Sequence, residues 1–121
     1  MAVGTGIGPL GTIYHPKMVI HKLLEGSTAD VVGSGKKMKM QRFRTGLVHA
    51  VQTSTDSGDV ATIKIEGSFD DTTYIEVHDF GAINTPGSAG SKSAVVTLFP
   101  FMRATQSASA NTPLVTVFLG E

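Results

Sequence analysis

The chain has no cysteine and no tryptophan, and its 121 residues hold only two tyrosines. Without cysteine there is no disulfide framework, no thiolate chemistry and no cysteine metal site. Formal net charge is zero. No stretch approaches the roughly 20 apolar residues that a membrane helix needs. Met1–Gly11 lacks the basic segment and apolar run of a secretory signal, so a soluble protein, or part of a soluble assembly, is expected. No helical period is sustained over ten or more residues, which leaves period-two alternation as the organising signal. A chain of this length is expected to fold as one domain.

That alternation is strongest between Val60 and Val77. Ala61, Ile63, Ile65 and Phe69 fall in one series with Gly67, and Thr62, Lys64 and Glu66 fall in the other. After the polar turn at Asp70–Asp71, Ile75 and Val77 alternate with Tyr74, Glu76 and His78. The pattern predicts an antiparallel hairpin with acidic turn formers. Thr45–Thr53 reads as a strand with Leu47, His49 and Val51 on one face and Val48 and Ala50 on the other. Joined through the turn at Ser54–Asp59, it is expected to complete a three-strand meander with the hairpin.

Met18–Leu24 reads as a short strand, and Ala29–Val32 as a small edge strand. The basic run Lys36–Arg44 alternates Met38, Met40 and Arg42 against Lys37, Lys39, Gln41 and Phe43. Asp79–Ser93, punctuated by Pro86–Gly87 and Gly90, reads as a long crossover between two sheets. Ala94–Ala104 reads as one strand with a bulge or edge position at Pro100. Thr105–Pro113 reads as a turn region and Leu114–Leu119 as the last strand. About seven short strands with Gly/Ser turns indicate an all-β antiparallel sandwich of jelly-roll or immunoglobulin-like type. Residues 18–121 are expected to form that single domain.

Residues 1–17 form an extended N-terminal arm in this reading. Gly4, Gly6, Gly8, Gly11, Pro9 and Pro16 oppose regular structure, and no periodicity lasts. Yet Val3, Ile7, Leu10, Ile13 and Tyr14 are more apolar than a solvated tail carries, so the arm is expected to lie on its own domain or on a neighbour, with the neighbour favoured. Charge is uneven as well: residues 1–45 sum to +5 and residues 46–121 to −5. Such asymmetry suits contact between copies or with a charged partner, although the halves can also neutralise each other within one domain.

Residues suited to catalysis are scattered. His15, His21, His49 and His78 stand at no metal-ligand spacing. Asp56, Asp59, Asp70 and Asp71 lack the regular spacing of a calcium loop, and there is no Gly-x-Ser-x-Gly elbow. Gly4-Thr5-Gly6-Ile7-Gly8 resembles half a dinucleotide fingerprint, but it follows no strand and precedes no helix. Neither an enzyme nor a cofactor is expected. Zero net charge, with no recognition helix or aromatic platform, argues against nucleic acid despite Lys36–Arg44. Arg103, a lone charge in an apolar strand, must reach the rim or pair with a carboxylate; the functional alternative is an interface arginine.

Three pieces together resemble small β-sandwich virion structural proteins of tailed bacteriophages. They are Ala61–Ser68 with Phe69-Asp70-Asp71-Thr72-Thr73-Tyr74, then Leu98–Ala104, then Val115–Leu119. In that family the Asp70–Asp71 position is often Asp-Gly and the Tyr74 position often Trp. Discoidin-like carbohydrate-binding jelly rolls share the turn and the Arg strand. The virion resemblance implies a capsid decoration (cement) protein made in the host cytoplasm and located on the capsid surface, without a membrane or nucleic-acid partner. Its partners would be the major capsid protein, copies of itself in a homo-oligomer, or both. The contact residues would be Ile7, Leu10, Ile13 and Tyr14 of the arm and Lys36, Lys37, Lys39, Arg42 and Arg44 of the basic run. A tail or neck component is the alternative within this class, and a carbohydrate-binding module for host attachment is the rival outside it. The lack of tryptophan counts against the rival, since sugar sites present aromatic platforms.

Overall fold

Period-two alternation becomes nine strands in a computed structural model that describes residues 19–39, 44–53, 58–84, 91–110 and 113–121. They are β1 (Ile20–Leu24), β2 (Val31–Val32), β3 (Lys36–Lys37), β4 (Thr45–Gln52), β5 (Val60–Ser68), β6 (Ile75–Asn84), β7 (Ser91–Thr97), β8 (Phe101–Ala110) and β9 (Val115–Gly120). One antiparallel sheet has the order β1-β9-β4-β7. The other has the order β2-β8-β5-β6, with β3 pairing farther along β8.

The pairs are nested. β1 pairs with β9, β2 and β3 with β8, β4 with β7, and β5 with β6. A two-stranded ribbon bent at the β5–β6 hairpin and rolled up gives this order, which is the jelly-roll arrangement. The two-residue β2 and β3 together occupy one strand position. Of the two sandwich types expected, the jelly roll is the one formed.

The core lies between the sheets. β4 buries Gly46, Val48, Ala50 and Gln52 while Thr45, Leu47 and His49 face out. β5 buries Ala61, Ile63, Ile65 and Gly67, and β9 buries Val115, Val117 and Leu119. With Leu23, Leu98, Met102 and Ala104 they make one cluster. Each fully buried Ile or Leu contributes about 1.5–3 kcal/mol.

Several expectations need correction. β4 does not pair with β5: the two lie in opposite sheets, so there is no meander. Alternation assigns faces, and the residues between these strands cross the roughly 10 Å gap between sheets. Buried Gln52 fastens that crossing, donating through Nε2 to the carbonyls of Ile83 at 2.8 Å and Asp59 at 3.5 Å. β6 runs on to Asn84, so the link to β7 is shorter than expected, but it does pass from one sheet to the other. Ala94–Ala104 is two strands rather than one. The chain turns the corner between sheets at Leu98–Pro100, where proline cannot donate to a ladder.

Thr105–Pro113 is not a turn region, because β8 extends through Ala110. β8 is paired with β5 along its length and, on its other side, with β3 at Phe101–Met102 and β2 at Thr105–Gln106; the β5 ladder overrides the weak strand preference of Ser107, Ala108 and Ala110. Among the described residues of the basic run only Lys36–Lys37 is strand. Phe69 leaves its expected inward series and is 78% exposed, because β5 ends at Ser68. β6 also breaks phase: bulges opposite Ile63–Lys64 and Ile65–Glu66 each insert a residue, so Phe80 and Ile83 are buried while Ile75 is 53% exposed. Gly81, at φ 69°, supplies the left-handed backbone beside the first bulge.

Ile63→Ala is expected to cost about 2–5 kcal/mol by leaving a cavity between the sheets. Val95→Ala on the outer face is expected to cost about 0.5 kcal/mol or less. Urea denaturation of both variants checks the inward series directly.

Candidate functional site

Five chain segments meet at one end of the sandwich, and Glu121 ties them. The β1–β9 ladder continues past its formal ends: Val19 N donates to Glu121 O at 3.3 Å, and Glu121 N to Val19 O at 2.9 Å. The Glu121 side chain is 2% exposed. Its two oxygens accept from the Lys39 backbone N–H at 3.0 and 2.9 Å, and Oε2 lies 2.5 Å from His21 Nε2. Arg44 carries positive charge nearby, and its carbonyl accepts from Leu98 N at 2.8 Å. Met38 N donates to Pro100 O at 2.8 Å and buries its thioether. The root of the N-terminal segment, the basic run and the β7–β8 corner are thus held together.

Burial acts to raise the Glu121 pKa. The backbone hydrogen bond from Lys39, the bond to and charge of His21, and the charge of Arg44 overcome it and hold the carboxyl below its ordinary value.

Of the residues singled out from sequence, Lys36, Lys37, Lys39 and Arg44 are all exposed. Lys36 and Lys37 sit on the β3 edge opposite Met102 and Phe101, and Lys39 and Arg44 reach the Glu121 corner. Ile7, Leu10, Ile13, Tyr14 and Arg42 lie outside the described residues, as does the whole of 1–17. The opposite edge of that sheet, β6, carries Glu76 and Asp79, so the charge asymmetry of the sequence runs from edge to edge.

A second polar array lies at the hairpin tip. Asp70 Oδ1 accepts from Thr73 N at 2.8 Å, Thr72 N at 2.9 Å and Ser68 Oγ at 2.9 Å. These three bonds hold its carboxyl below the usual range. Asp71 adopts φ 60° and accepts the Tyr74 hydroxyl. Burial, then that bond and the Asp71 charge, push the Tyr74 hydroxyl up to about 12, with Arg103 acting against them. The Arg103 guanidinium lies 3.8 Å over the Tyr74 ring, and its Nε donates to Glu66 Oε1 at 2.7 Å. Glu66 and Arg103 are direct cross-strand partners, so the carboxylate pairing is the reading that describes this arginine. A Cβ on Gly35 would fall 2.0 Å from the Tyr74 hydroxyl and 2.2 Å from Asp71 Oδ1, so a side chain there would push those two groups aside where the loop after β2 closes on the array.

Beside it, Thr62, Lys64, Glu66, Thr105 and Ser107 line an open groove of about 420 Å³. His49 is exposed, and His78 stacks edge-on against Phe80 at 4.7 Å. Among the described residues no three His, Cys, Asp or Glu side chains converge to hold a metal.

Sequence reasoning missed Glu121 and counted it only as charge. Its side-chain partners lie 82 and 100 positions away, where no local pattern reaches. Glu121→Gln is expected to cost about 1–3 kcal/mol at neutral pH, as a charged acceptor of several bonds is lost. A lowered folded pKa means this contribution is complete above the ordinary value of 4.5 and fades as pH falls through the folded one. Denaturation of wild type and variant across pH 7 to 2 should therefore converge at the acid end. Arg103→Met is expected to cost about 1–2 kcal/mol, from the cross-strand pair and the ring contact together. Arg103→Lys should recover only part, since lysine has no planar group to lie on Tyr74; thermal unfolding checks both.

No family model matches this chain, and no curated protein matches it, so its functional reading rests on its own residues.

Proposed function

We propose that this chain is a structural virion protein of a tailed phage, of the capsid decoration type, which binds the assembled shell and holds neighbouring capsid subunits together. The observation that carries the reading is the Glu121 corner. It fastens the root of the apolar N-terminal segment at Val19 beside Lys39 and Arg44. The described residues that border the two stretches marked from sequence as contact segments, Val19, Lys39 and Arg44, therefore lie together at one end of the sandwich, a rigid base for contact with a partner. The jelly roll is compatible with this role by analogy, since capsid domains use it, and so do lectins. Asp71 fits the resemblance too: the position where the virion family often carries glycine has left-handed backbone, which Asp tolerates better than most residues.

Binding in this reading is burial of apolar side chains from residues 1–17 against the shell or a sister copy seated on it, with Lys36, Lys37, Lys39 and Arg44 facing acidic groups of the shell. No bond is made or broken. A second reading, a carbohydrate-binding module, is favoured by the open groove where Thr62, Lys64 and Thr105 stand beside Val31 and Val32. Against it, the ring of Tyr74 is covered by Arg103 and offers no stacking platform.

The test is co-sedimentation with empty shells assembled from the major capsid protein of the same genome. Wild-type protein is expected to pellet with the shells. Replacing Lys36, Lys37 and Arg44 together with serine is expected to weaken binding about tenfold, at some tenths of a kcal/mol per exposed pair. A wild type that stays in the supernatant rejects the capsid reading; saturable binding on a glycan array would replace it with the second.

A further inference from the structure

One row on the outer face of the β1-β9-β4-β7 sheet departs from the polar surface that a two-layer sandwich usually turns to water. Ile20 stands opposite Gly120, Gly120 opposite Leu47, and Leu47 opposite Val95. Paired residues of adjacent strands share a face, so these four form one row across all four strands. Ile20 is 64% exposed, Leu47 48% and Val95 70%. Gly120 has no side chain, which leaves a trough between Ile20 and Leu47. The next row on the same face, Lys22, Phe118, His49 and Ser93, adds half-buried Phe118 and no acid.

What would cover such a row is in the same chain. Residues 1–18 lie outside the described part and lead directly into Val19, next to Ile20. They hold Val3, Ile7, Leu10, Ile13 and Tyr14 and no acid, with Lys17 the one Lys or Arg. Although no period runs through the whole segment, Ile7, Leu10 and Ile13 recur at every third position. That is the repeat of a polyproline II helix, which suits the flanking Gly and Pro and spaces the three about 9 Å apart. Alternate strands of a sheet are about 9.5 Å apart, so Ile20 and Leu47, on either side of the trough, match that spacing.

We propose that this row is a docking surface for residues 3–14 of a second copy of the chain, each copy laying its N-terminal segment across the β1-β9-β4-β7 sheet of its neighbour. A neighbour is favoured over the chain's own sheet by the geometry at Val19. Its two backbone bonds to Glu121 keep Val19 in line with β1, so a segment continuing that direction would point along the strand axis, past the end of the sheet. Folding back onto its own face would need a reversal at His15–Pro16, where proline biases the residue before it to extended backbone. Eighteen residues reach about 60 Å at most, farther than the sandwich they leave.

The proposal rests on the reading above only in treating residues 1–17 as a contact segment. Its test needs no shell, so either can fail alone. Three full-length proteins are compared by sedimentation velocity over a hundredfold concentration range, with circular dichroism to confirm that each is folded. Wild type is expected to self-associate. A row variant (Leu47→Lys with Val95→Lys) and a segment variant (Ile7→Ser, Leu10→Ser and Ile13→Ser) are each expected to sediment as monomers. Mixed, the two variants are expected to associate, since the intact segment of one meets the intact row of the other. A monomeric wild type, association that survives in either variant, or a mixture that stays monomeric would each overturn the proposal. The last of these, with the wild type associated, would mean that the segment does not act between copies.

Discussion

Ile63 and Ile65 have no exposure at all, and that single requirement organises the sandwich. Two β-branched side chains on one face of a central strand need a second sheet above them. β9 supplies it with Val115, Val117 and Leu119, and β4 with Val48 and Ala50. A slip of one residue in any of these strands would turn its apolar set to water, so register and core are one constraint. The bulges in β6 obey it: by inserting residues they bring Phe80 and Ile83 inward where strict alternation would not.

Much of this was legible because alternation is a local property. Thr45–Gln52, Val60–Ser68 and Val115–Gly120 fall within a residue or two of where the pattern puts them. Partners were not legible. β4 and β5 are consecutive and both alternate, yet they lie in opposite sheets, because a period of two states which residues share a face and nothing about the strand alongside. Pro100 was read correctly as an interruption but not as the corner between two sheets. Thr105–Ala110 was lost to its composition, since Ser and Ala become strand there only through the ladder with β5.

At the functional end the same division holds. Exposure of Lys36, Lys37, Lys39 and Arg44 follows from their charge. The turn role of Asp70 follows from its own short side chain, and its three bonds all lie within three residues. The pairing of Arg103 with Glu66 was open as one of several outcomes and was settled by the β5–β8 register. Glu121 had no sequence signal, and yet it joins the segments that matter most to the proposed role. Its backbone carries the β1–β9 ladder on to Val19, at the root of the N-terminal segment, and its carboxylate fastens Lys39 and His21 beside that root.

The edges of the sandwich bear on why the proposed contact between copies is placed on a face. An open strand edge invites pairing with another chain unless it is bent or charged. β6 is interrupted by two bulges and carries Glu76 and Asp79, and β1 has a register break between Lys22 and Leu24. β3 is two residues long, and both are lysine. β7 pairs with β4 without a break, but its Lys92 side chain turns to the Phe80 carbonyl at 3.0 Å, which ties that edge to the other sheet. Three edges are thus blunted by shape or charge and the fourth is tethered, whereas the Ile20-Gly120-Leu47-Val95 row has neither an acid nor a lysine. Apolar attraction is free to act there, while the basic β3 edge and the acidic β6 edge repel their like and admit only their opposite. Orientation can then come from charge, and adhesion from the row.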